Sequence, residues 1–488
     1  MTEQIDTRVR LLNAILDVPH GDLEKFRATH QEILDTDPWF YLRLACWYEK
    51  NGEIRDHKTL FPSMLSTSRW GADNGTASNI MQLHRANGNA LLKVLPPYMI
   101  ARSLKFITDK IGHRPRTLRG TVTEYIRLLE LNEPRFDGTV LTSRDDLRYL
   151  YATLHIKPSK RAQAILFDDD PPEGSRPWAV KQAAAAETVL EKATIIAEYN
   201  LPWQVAASLV NPKHPVALAA LVNAMTPAQV INNQKSIKNA GGMDHPDIRQ
   251  LVKDKLKQAK TKKGVAAYKA KVAKDVSGVD AEIGAMLEDV RETQIKARGE
   301  ITARTAILVD ISGSQADGIK VTKQLVPMIS SICTSSLYVL AFNTAVYELQ
   351  VPKEEITIQF MEGAMAGLRA SGGTSMGLPI EWLRRNGHVV DQFLLVTDEG
   401  ENHAPSFQEA YEAYAKDMGI RPTVTIVRVG LYLTDKIQQS CQRMMVQCNA
   451  FDFRGDYYAL PGVIPFLTGK TRADLVMEIM DTPLLVEV

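Results

Sequence analysis

Residues 305–314 read TAILVDISGS, an unbroken apolar run that ends in a cluster of polar side chains. A β-branched and aliphatic run of this length is typical of a strand that is buried on both faces, as in a parallel sheet. The polar cluster then falls at the carboxyl end of the strand, where open α/β sheets bind ligands. There the carboxylate of Asp310 and the hydroxyls of Ser312 and Ser314 can converge on a hard cation.

Strand and helix patterns alternate in the part of the chain that begins with this strand. Strands are predicted at 304–309, 337–342, 392–397, 423–429 and about 449–453, with a short antiparallel edge strand near 347–351. Helical patterns fill the segments between them. This βαβ alternation predicts a doubly wound, Rossmann-like sheet with right-handed crossovers, which we assign to residues 301–488.

Two further polar loops belong to the same sheet. One reads SGGTS at 371–375, and the other reads TDEG at 397–400, directly after a strand. Together with DISGS they resemble the metal-ion-dependent adhesion site (MIDAS) of von Willebrand factor A domains, DxSxS…T…D. The resemblance implies that Ser312, Ser314 and Thr374 ligate a cation directly. It also implies that Asp310 and Asp398 act through water or as partial ligands.

The chemistry of this donor set favours binding over catalysis. Oxygen ligands suit Mg²⁺ first, with Mn²⁺ or Ca²⁺ as alternatives, and do not suit zinc. Hydroxyl ligands leave the ion electrophilic, so an acidic group of a partner can complete its coordination. No residue of the motif stands as a base beside a nucleophile, and we therefore expect no enzyme. Glu399 and Glu401 flank Asp398 and are read as exposed, solvated loop acids. The simpler alternative is a strand–turn whose serines cap the next helix.

Residues 1–300 carry a different pattern, in which helical apolar spacing is interrupted by proline and glycine. Helices of about 10–15 residues between such stops suit stacked helical pairs, as in a solenoid. No strict sequence period is present, so a HEAT-like repeat is inferred from the rhythm of the helices alone. We place the boundary between this all-helical half and the α/β half near Glu300.

The helical half is basic, with 43 Lys and Arg against 36 Asp and Glu, whereas residues 301–488 have 15 against 21. Basic side chains are dense from 102 to 161 and again from 253 to 274. Aromatic side chains interleave with the first set, namely Phe106, Tyr125, Tyr149 and Tyr151. Such a mixture suits RNA, because cations neutralise phosphates and flat rings stack on bases. The alternative is a solvated helical face over core aromatics.

Several short strings ahead of the A-domain motif resemble the Ro autoantigen (TROVE) family of RNA-binding proteins. They are RTLR at 116–119, DLR at 146–148, HIKPS at 155–159, AALVNAM at 219–225 and AQVINN at 228–233. The resemblance implies a ring of helical repeats closed by the A domain. It implies binding of small structured Y RNAs on the outer basic face, and of the single-stranded ends of misfolded RNAs through the central hole.

Carried over residue by residue, the resemblance marks Arg116, Arg119, His155 and Lys157 as RNA contacts. Two departures from the family pattern are Asn232, where an arginine is usual, and Gln234, where a leucine is usual. The expected partners are small non-coding RNA and, through the metal site, an exoribonuclease or another protein. The alternative function is a metal-dependent protein-interaction scaffold without an RNA role.

The sequence also bears on compartment and assembly. The four cysteines lack metal-ligand spacing, and the N-terminus MTEQIDTRVR lacks the apolar core of a signal peptide. No apolar stretch approaches the roughly 20 residues that a membrane span needs. We therefore expect a cytoplasmic protein with reduced thiols and no membrane partner. Ring closure within one chain makes a monomer the expected state.

Overall fold

The computed structural model describes residues 2–16, 23–52, 54–69, 77–112, 115–262, 267–278, 280–297, 299–316, 318–352, 354–430, 434–452 and 472–487. The chain divides into two compact units. Unit 1 is Met1–Lys255 together with Leu475–Val488, and unit 2 is Leu256–Asp474. The division predicted near Glu300 marks where helices give way to strands, and as a boundary between domains it stays a prediction.

The first part of the chain is helical throughout its described residues, as predicted. The helices are α1 Thr2–Leu16, α2 Leu23–Thr36, α3 Pro38–Asn51, α4 Arg55–Ser66, α5 Ala77–Val94, α6 Pro97–Phe106, α7 Arg116–Leu131, α8 Glu133–Thr153, α9 Lys160–Leu166, α10 Arg176–Ala185, α11 Val189–Glu198, α12 Trp203–Ala206, α13 Pro215–Ala224, α14 Pro227–Asn232, α15 Gln234–Asn239, α16 Pro246–Thr261, α17 Ala267–Ser277 and α18 Ala281–Lys296. Many of the prolines that punctuate the sequence open a helix, where the missing N–H costs nothing.

The packing of α5 to α9 illustrates how this unit is stabilised. Each helix buries one apolar stripe, and the stripes meet in a shared core that includes Ile100, Leu118, Ile126 and Leu150. Burying one such side chain contributes about 1.5–3 kcal/mol. The opposite faces are polar, and one of them carries the basic side chains discussed below. That the helices close into a ring stays a prediction.

Unit 2 contains a six-stranded sheet flanked by helices. The strands are β1 Thr305–Asp310, β2 Leu337–Phe342, β3 Val346–Leu349, β4 Gln392–Thr397, β5 Thr423–Arg428 and β6 Cys448–Asp452. Their order is β3-β2-β1-β4-β5-β6, with only the edge pair β2–β3 antiparallel. The chain runs outward from β1 in both directions, so β1 and β4 meet at the topological switch point. The predicted doubly wound sheet is confirmed.

A hydrophobic core lies on each face of this sheet, and β1 and β4 are therefore buried on both faces. The helices are α19 Ile319–Ser330, α20 Ile358–Met365, α21 Gly377–Arg385, α22 Phe407–Met418 and α23 Lys436–Arg443. Side chains of α17, α18, α19 and α20 pack on one face, and those of α21, α22 and α23 pack on the other. The layers hold the carboxyl ends of β1 and β4 in register, with Val309 opposite Val396.

The last described helix, α24 Arg472–Asp481, returns to unit 1. It buries Leu475, Val476 and Ile479. Sequence periodicity predicted this helix but placed it with the α/β half, because periodicity carries no information about the packing partner. Within the described ranges, no helix combines the length and apolar character that a membrane-spanning helix requires.

Candidate metal centre and nucleic-acid interface

Asp310 lies at the end of β1 and is fully buried. One of its carboxylate oxygens accepts a hydrogen bond from the backbone N–H of Ser312 (2.8 Å), and the other accepts one from the hydroxyl of Thr397 (2.7 Å). Burial raises the pKa of the Asp310 carboxyl to about 6, and the nearby charge of Asp398 acts in the same direction. Hydrogen bonds from Ser312 and Thr397 oppose this shift.

The two serines of the first loop lie side by side. The hydroxyl oxygens of Ser312 and Ser314 are 3.1 Å apart, with Ser312 buried and Ser314 exposed. A tight turn over Gly313–Ala316 places both on the same side of the loop. At this distance one hydroxyl donates a hydrogen bond to the other.

Backbone hydrogen bonds hold the second loop against the first. Gly313 donates to the carbonyl of Gly372 (2.9 Å), and Ser371 donates to the carbonyl of Ile311 (2.8 Å). Asn343, directly after β2, donates from Nδ2 to the carbonyl of Ser371 (2.9 Å). The second loop is therefore fixed beside DISGS, as the MIDAS resemblance implied.

Thr374 joins the second loop to the third. Its N–H donates to Oδ1 of Asn402 (2.8 Å), and its carbonyl accepts from the N–H groups of Asn402 and His403. Thr374 and Asp398 are both almost fully buried, and Asp398 accepts from the N–H of Gly400 (2.8 Å). All three loops thus meet at the carboxyl edge of β1 and β4. The ligand roles of Asp310, Ser312, Ser314, Thr374 and Asp398 stay predictions.

The charge balance of this edge suits a cation. Asp310 and Asp398 are buried, and across the part of the chain that the structure describes neither forms an ion pair. Buried carboxylates without a cationic partner are costly, so this edge fits a divalent ion. The donors are two carboxylates and three hydroxyls. No described group of three or more His, Cys, Asp or Glu side chains could hold a metal, so a zinc-type cluster is absent from these residues.

Glu399, which sequence reasoning took for an exposed loop acid, is fully buried. Its carboxylate accepts from the N–H groups of Ile437 (2.8 Å) and Gln438 (3.2 Å) at the start of α23. Burial raises the pKa of this carboxyl, and those hydrogen bonds oppose the shift. Glu399 therefore anchors the third loop to α23, where helix N–H groups favour a carboxylate.

Sequence reasoning also missed three residues that support the site: Thr397, Asn343 and Asn402. Thr397 was the easiest to find, since it directly precedes Asp398 on the same strand. Asn343 and Asn402 gave no local signal. Their roles depend on loops that lie far away in the sequence and close together in the fold.

The predicted RNA contacts lie on α7 and on the turn at 155–159. Arg116, Arg119, His155 and Lys157 are all exposed. Arg119 donates from Nη2 to the carbonyl of His155 (3.2 Å), so the structure brings these two residues together. Arg127, two turns further along α7, donates to the carbonyl of Lys157 (2.5 Å).

The turn at 155–159 has a defined conformation that several contacts hold in place. His155 has a left-handed backbone (φ +50), and Ser159 caps the N-terminus of α9. Glu130 of α7 accepts from the N–H of Ser159 (3.0 Å) and from the hydroxyl of Tyr151 (2.7 Å). These contacts fix the turn against α7. We call the surface formed by Arg116, Arg119, Arg127, His155 and Lys157 the α7 face.

Several cations and aromatic rings of the basic run have structural roles instead. Arg102 pairs with Asp56 (2.6 Å), and Arg161 pairs with buried Asp137 (2.9 Å). Phe106, Tyr125 and Tyr151 are buried in the helical core. For these three rings the alternative of core aromatics therefore holds, because their apolar surface packs inward.

The lysine run at 253–274 is partly occupied by ion pairs within unit 2. Lys271 pairs with Glu362 (2.8 Å), and Lys274 pairs with Glu288 (2.9 Å). Buried Arg291 contacts both of these glutamates. This network fastens α17 and α18 to α20, which accounts for their place in unit 2. The charges of Lys271 and Lys274 are therefore partly neutralised before any phosphate arrives.

Comparison with solved structures gives a likeness that spans most of the chain. No family model matches the sequence, and no curated protein matches it. The structure is similar to the crystal structure of the Ro protein (Rsr) of Deinococcus radiodurans, with a TM-score of 0.57. The match covers 89% of this chain and 92% of that one, at 16% sequence identity. The chain has the fold of that Ro protein, as the resemblance implied.

Two partial likenesses involve A domains. Proximal thread matrix protein 1 of the mussel byssus, described with a zinc-occupied MIDAS motif, matches 35% of this chain and 48% of its own at 15% identity, with a TM-score of 0.28. A von Willebrand factor type A protein from Catenulispora acidiphila matches 37% of this chain and 43% of its own at 16% identity, with a TM-score of 0.27. At these scores neither likeness establishes a fold relationship.

Proposed function

We propose that this chain is a non-catalytic RNA-binding protein of the Ro type. Its α7 face binds structured RNA, and the edge of its sheet binds a divalent cation. The likeness of fold to a Ro protein over 89% of the chain supports the class. The observation that carries the RNA site is the contact between Arg119 and the His155 carbonyl, which unites two sequence segments that the family resemblance marks.

The α7 face has the spacing of a phosphate-binding surface. At 3.6 residues per turn, Arg116, Arg119 and Arg127 lie along one side of α7, and the last two are about 12 Å apart. Their guanidinium groups contact carbonyl oxygens or solvent, and Arg127 also pairs with Glu130. Positioned, exposed cations of this kind neutralise phosphates without reading sequence.

Burial of the aromatic side chains selects the kind of RNA. Single strands are usually held by exposed rings on which bases stack. Phe106, Tyr125 and Tyr151 cannot serve, because they lie in the core, and the half-buried ring of Tyr149 is covered by the ammonium of Lys105. The α7 face therefore suits a folded, duplex-containing RNA such as a small non-coding Y-like RNA. Binding the ends of misfolded RNA is part of the same proposal, and it rests on the family resemblance alone.

The direct test is RNA recovered with the native protein. Crosslinking followed by sequencing should return small structured RNAs, and affinity for them should fall steeply as salt rises. Purified protein that carries no RNA, and that fails to retard a hairpin RNA at low salt, would contradict the proposal.

The sheet edge supports a second, compatible function. Two buried carboxylates without cationic partners fit a divalent ion, with Mg²⁺ first and Mn²⁺ or Ca²⁺ as alternatives. Ser312, Ser314 and Thr374 would hold the ion, with Asp310 and Asp398 behind them. When bound, the ion supplies an electrophilic position that a carboxylate of a partner, such as an exoribonuclease, can fill. A metal-dependent interaction scaffold without RNA is the competing proposal.

Chelation separates the two proposals. A protein partner recruited through the cation should be lost with EDTA and restored with Mg²⁺. RNA binding on the α7 face should be unaffected by either treatment. We further propose a monomeric, cytoplasmic ring, on the sequence arguments given above. An EDTA-sensitive partner without bound RNA would favour the scaffold alone.

A further inference from the structure

The end of the chain is held in a groove between α3 and α5. Asn87 of α5 is fully buried, and its Oδ1 accepts from the N–H groups of Leu485 (2.8 Å) and Val486 (3.1 Å). Its Nδ2 donates to the carbonyl of Val486 and to that of Leu83, both at 2.9 Å. One side chain thus satisfies three backbone groups of residues 485 and 486.

Two residues of α3 extend the contact toward α24. Arg43 donates to the carbonyl of Thr482, and Trp47 donates from Nε1 to Glu478 (3.0 Å). Helix α24 lies over this part of unit 1, burying Leu475, Val476 and Ile479. The tail beyond Asp481 therefore follows α24 into the groove and continues to Asn87.

The groove binds the tail through backbone groups and makes little use of its side chains. Leu485 and Val486 remain 39% and 36% exposed, and Leu484 is half-buried. Arg43 and Asn87 contact only carbonyl and N–H groups of the tail. Backbone hydrogen bonds give affinity for an extended segment, and side-chain pockets, which are shallow here, give sequence specificity.

Asn87 also explains why the groove requires an occupant. A buried amide must pair its oxygen and its N–H groups, and leaving them unpaired is unfavourable. Without the tail, Asn87 would keep the Leu83 carbonyl and the weak thiol donor of Cys46, 3.8 Å from Oδ1. The tail supplies the missing acceptor and the two strong donors.

We propose that the groove between α3 and α5 is a receptor for an extended peptide backbone, and that residues 482–486 are an exchangeable ligand carried by the chain itself. Because the chain enters unit 1 again at Leu475, release of the tail frees the outer end of that returning segment. This inference does not depend on RNA or metal binding.

The first test changes only the tail, so the core of the groove stays intact. Val486→Pro removes one of the two N–H groups that donate to Asn87, whereas Val486→Ala keeps every backbone hydrogen bond and serves as the matched control. In the full chain, Val486→Pro should raise amide exchange of residues 482–487 about tenfold, and Val486→Ala should leave it unchanged. Equal protection in wild type and Val486→Pro would overturn the proposal. So would equal release by both variants.

The second test measures exchange in trans. A labelled peptide with the tail sequence PLLVEV should bind the full-length Val486→Pro chain, and should bind wild type at least about tenfold more weakly because its groove is filled. A peptide N-methylated at the position of Val486 should not bind. Equal binding of the methylated and unmethylated peptides, or of the peptide to both chains, would show that the groove does not recognise a backbone.

Discussion

The sheet edge and the α7 face differ in the sign and in the burial of the charges that they offer to a ligand. At the sheet edge, Asp310 and Asp398 are buried acids without a cationic partner among the residues that the structure describes. On the α7 face, Arg116 and Arg119 are exposed cations set in place by the helix and, for Arg119, by a backbone carbonyl. A buried charge binds one ion of the right size, whereas exposed cations attract any polyanion. Salt should therefore weaken the second interaction far more than the first.

Removing the buried carboxylate tests the first half of this comparison and has the largest expected effect. Asp310→Asn should reduce Mg²⁺ affinity by about 100-fold, because a carboxylate near the ion is lost. Mg²⁺ at 100 times the wild-type dissociation constant stabilises wild type by about 2.7 kcal/mol, and at the same concentration the gain of the variant should fall to about 0.4 kcal/mol. Thermal unfolding with EDTA or Mg²⁺ measures both.

The same variant has an opposite effect when no cation is present. Since Asp310→Asn removes an uncompensated buried charge, the EDTA-treated variant should be at least as stable as EDTA-treated wild type. Ser371→Ala, an exposed hydroxyl in the neighbouring loop, is the matched control and should keep the Mg²⁺ response. An unchanged Mg²⁺ response in Asp310→Asn would remove this residue from the site.

Neutralising two cations of the α7 face tests the second half. Arg116→Ala with Arg119→Ala should weaken binding of a hairpin RNA about 30-fold at low salt, across many sequences. The slope of log affinity against log salt should become shallower by about one to two. Fluorescence anisotropy at several salt concentrations measures both quantities.

Lys213→Ala provides the control, since it removes one exposed charge elsewhere on unit 1. It should change RNA affinity by no more than about twofold. Equal losses in the control and in the arginine pair would mean that net charge, and not the α7 face, holds the RNA.

Acid should separate the two units by stability. His84 of α5 is buried between the hydroxyl of Ser68 and the carbonyl of Pro38, and burial lowers its pKa to about 4. The unfolded chain takes up this proton near pH 6.5, so between pH 6.5 and 4 the unfolded state binds more protons. Acidification should therefore cost unit 1 about 2 kcal/mol through this residue.

Hydrogen exchange in α3 and α5 at pH 7 and pH 5 reads this effect locally. His84→Gln removes this titrating group and should make the pH dependence shallower, and the remainder comes from His30, whose pKa is lowered by burial and by the nearby His57. His214→Gln, at an exposed site, should leave it as in wild type. A flat profile in wild type would show that His84 does not titrate differently on folding.

The smallest expected effect concerns a buried polar group far from both candidate sites. Gln234 is 1% exposed, and neither polar atom of its side chain has a hydrogen-bond partner among the described residues. Gln234→Leu should stabilise the protein by about 1–2 kcal/mol and leave Mg²⁺ and RNA binding unchanged. Gln250→Leu, at an exposed position of α16, is the control and should not stabilise. A destabilised Gln234→Leu would show that the amide has a function or partner.

The sheet edge was easier to predict from sequence than the α7 face, for a physical reason. Each strand leads directly into its own loop. TAILVDISGS therefore shows a strand, a turn and a polar cluster within ten residues, and TDEG marks a second polar loop after its own strand. The parallel arrangement then brings the loops together without further information. The contact between Arg119 and His155 joins α7 to the turn at 155–159, and only the family resemblance indicated it.

What sequence reasoning missed depends on distant partners. The exposed-acid reading of Glu399 failed because its partners, Ile437 and Gln438, lie on another helix. Composition left open whether Tyr125 and Tyr151 stack on bases or lie in the core, and helical packing turns them inward. The return of α24 to unit 1 likewise depends on Trp47 and Asn87, about 400 residues away in sequence.

The most direct test of the central claim is to locate the RNA on the protein. The native complex is irradiated, digested, and the crosslinked peptides are identified by mass spectrometry. The account predicts crosslinks within 116–131 and 155–161, which disappear in the Arg116→Ala, Arg119→Ala chain. Crosslinks confined to unit 2, or unchanged in that variant, would contradict it.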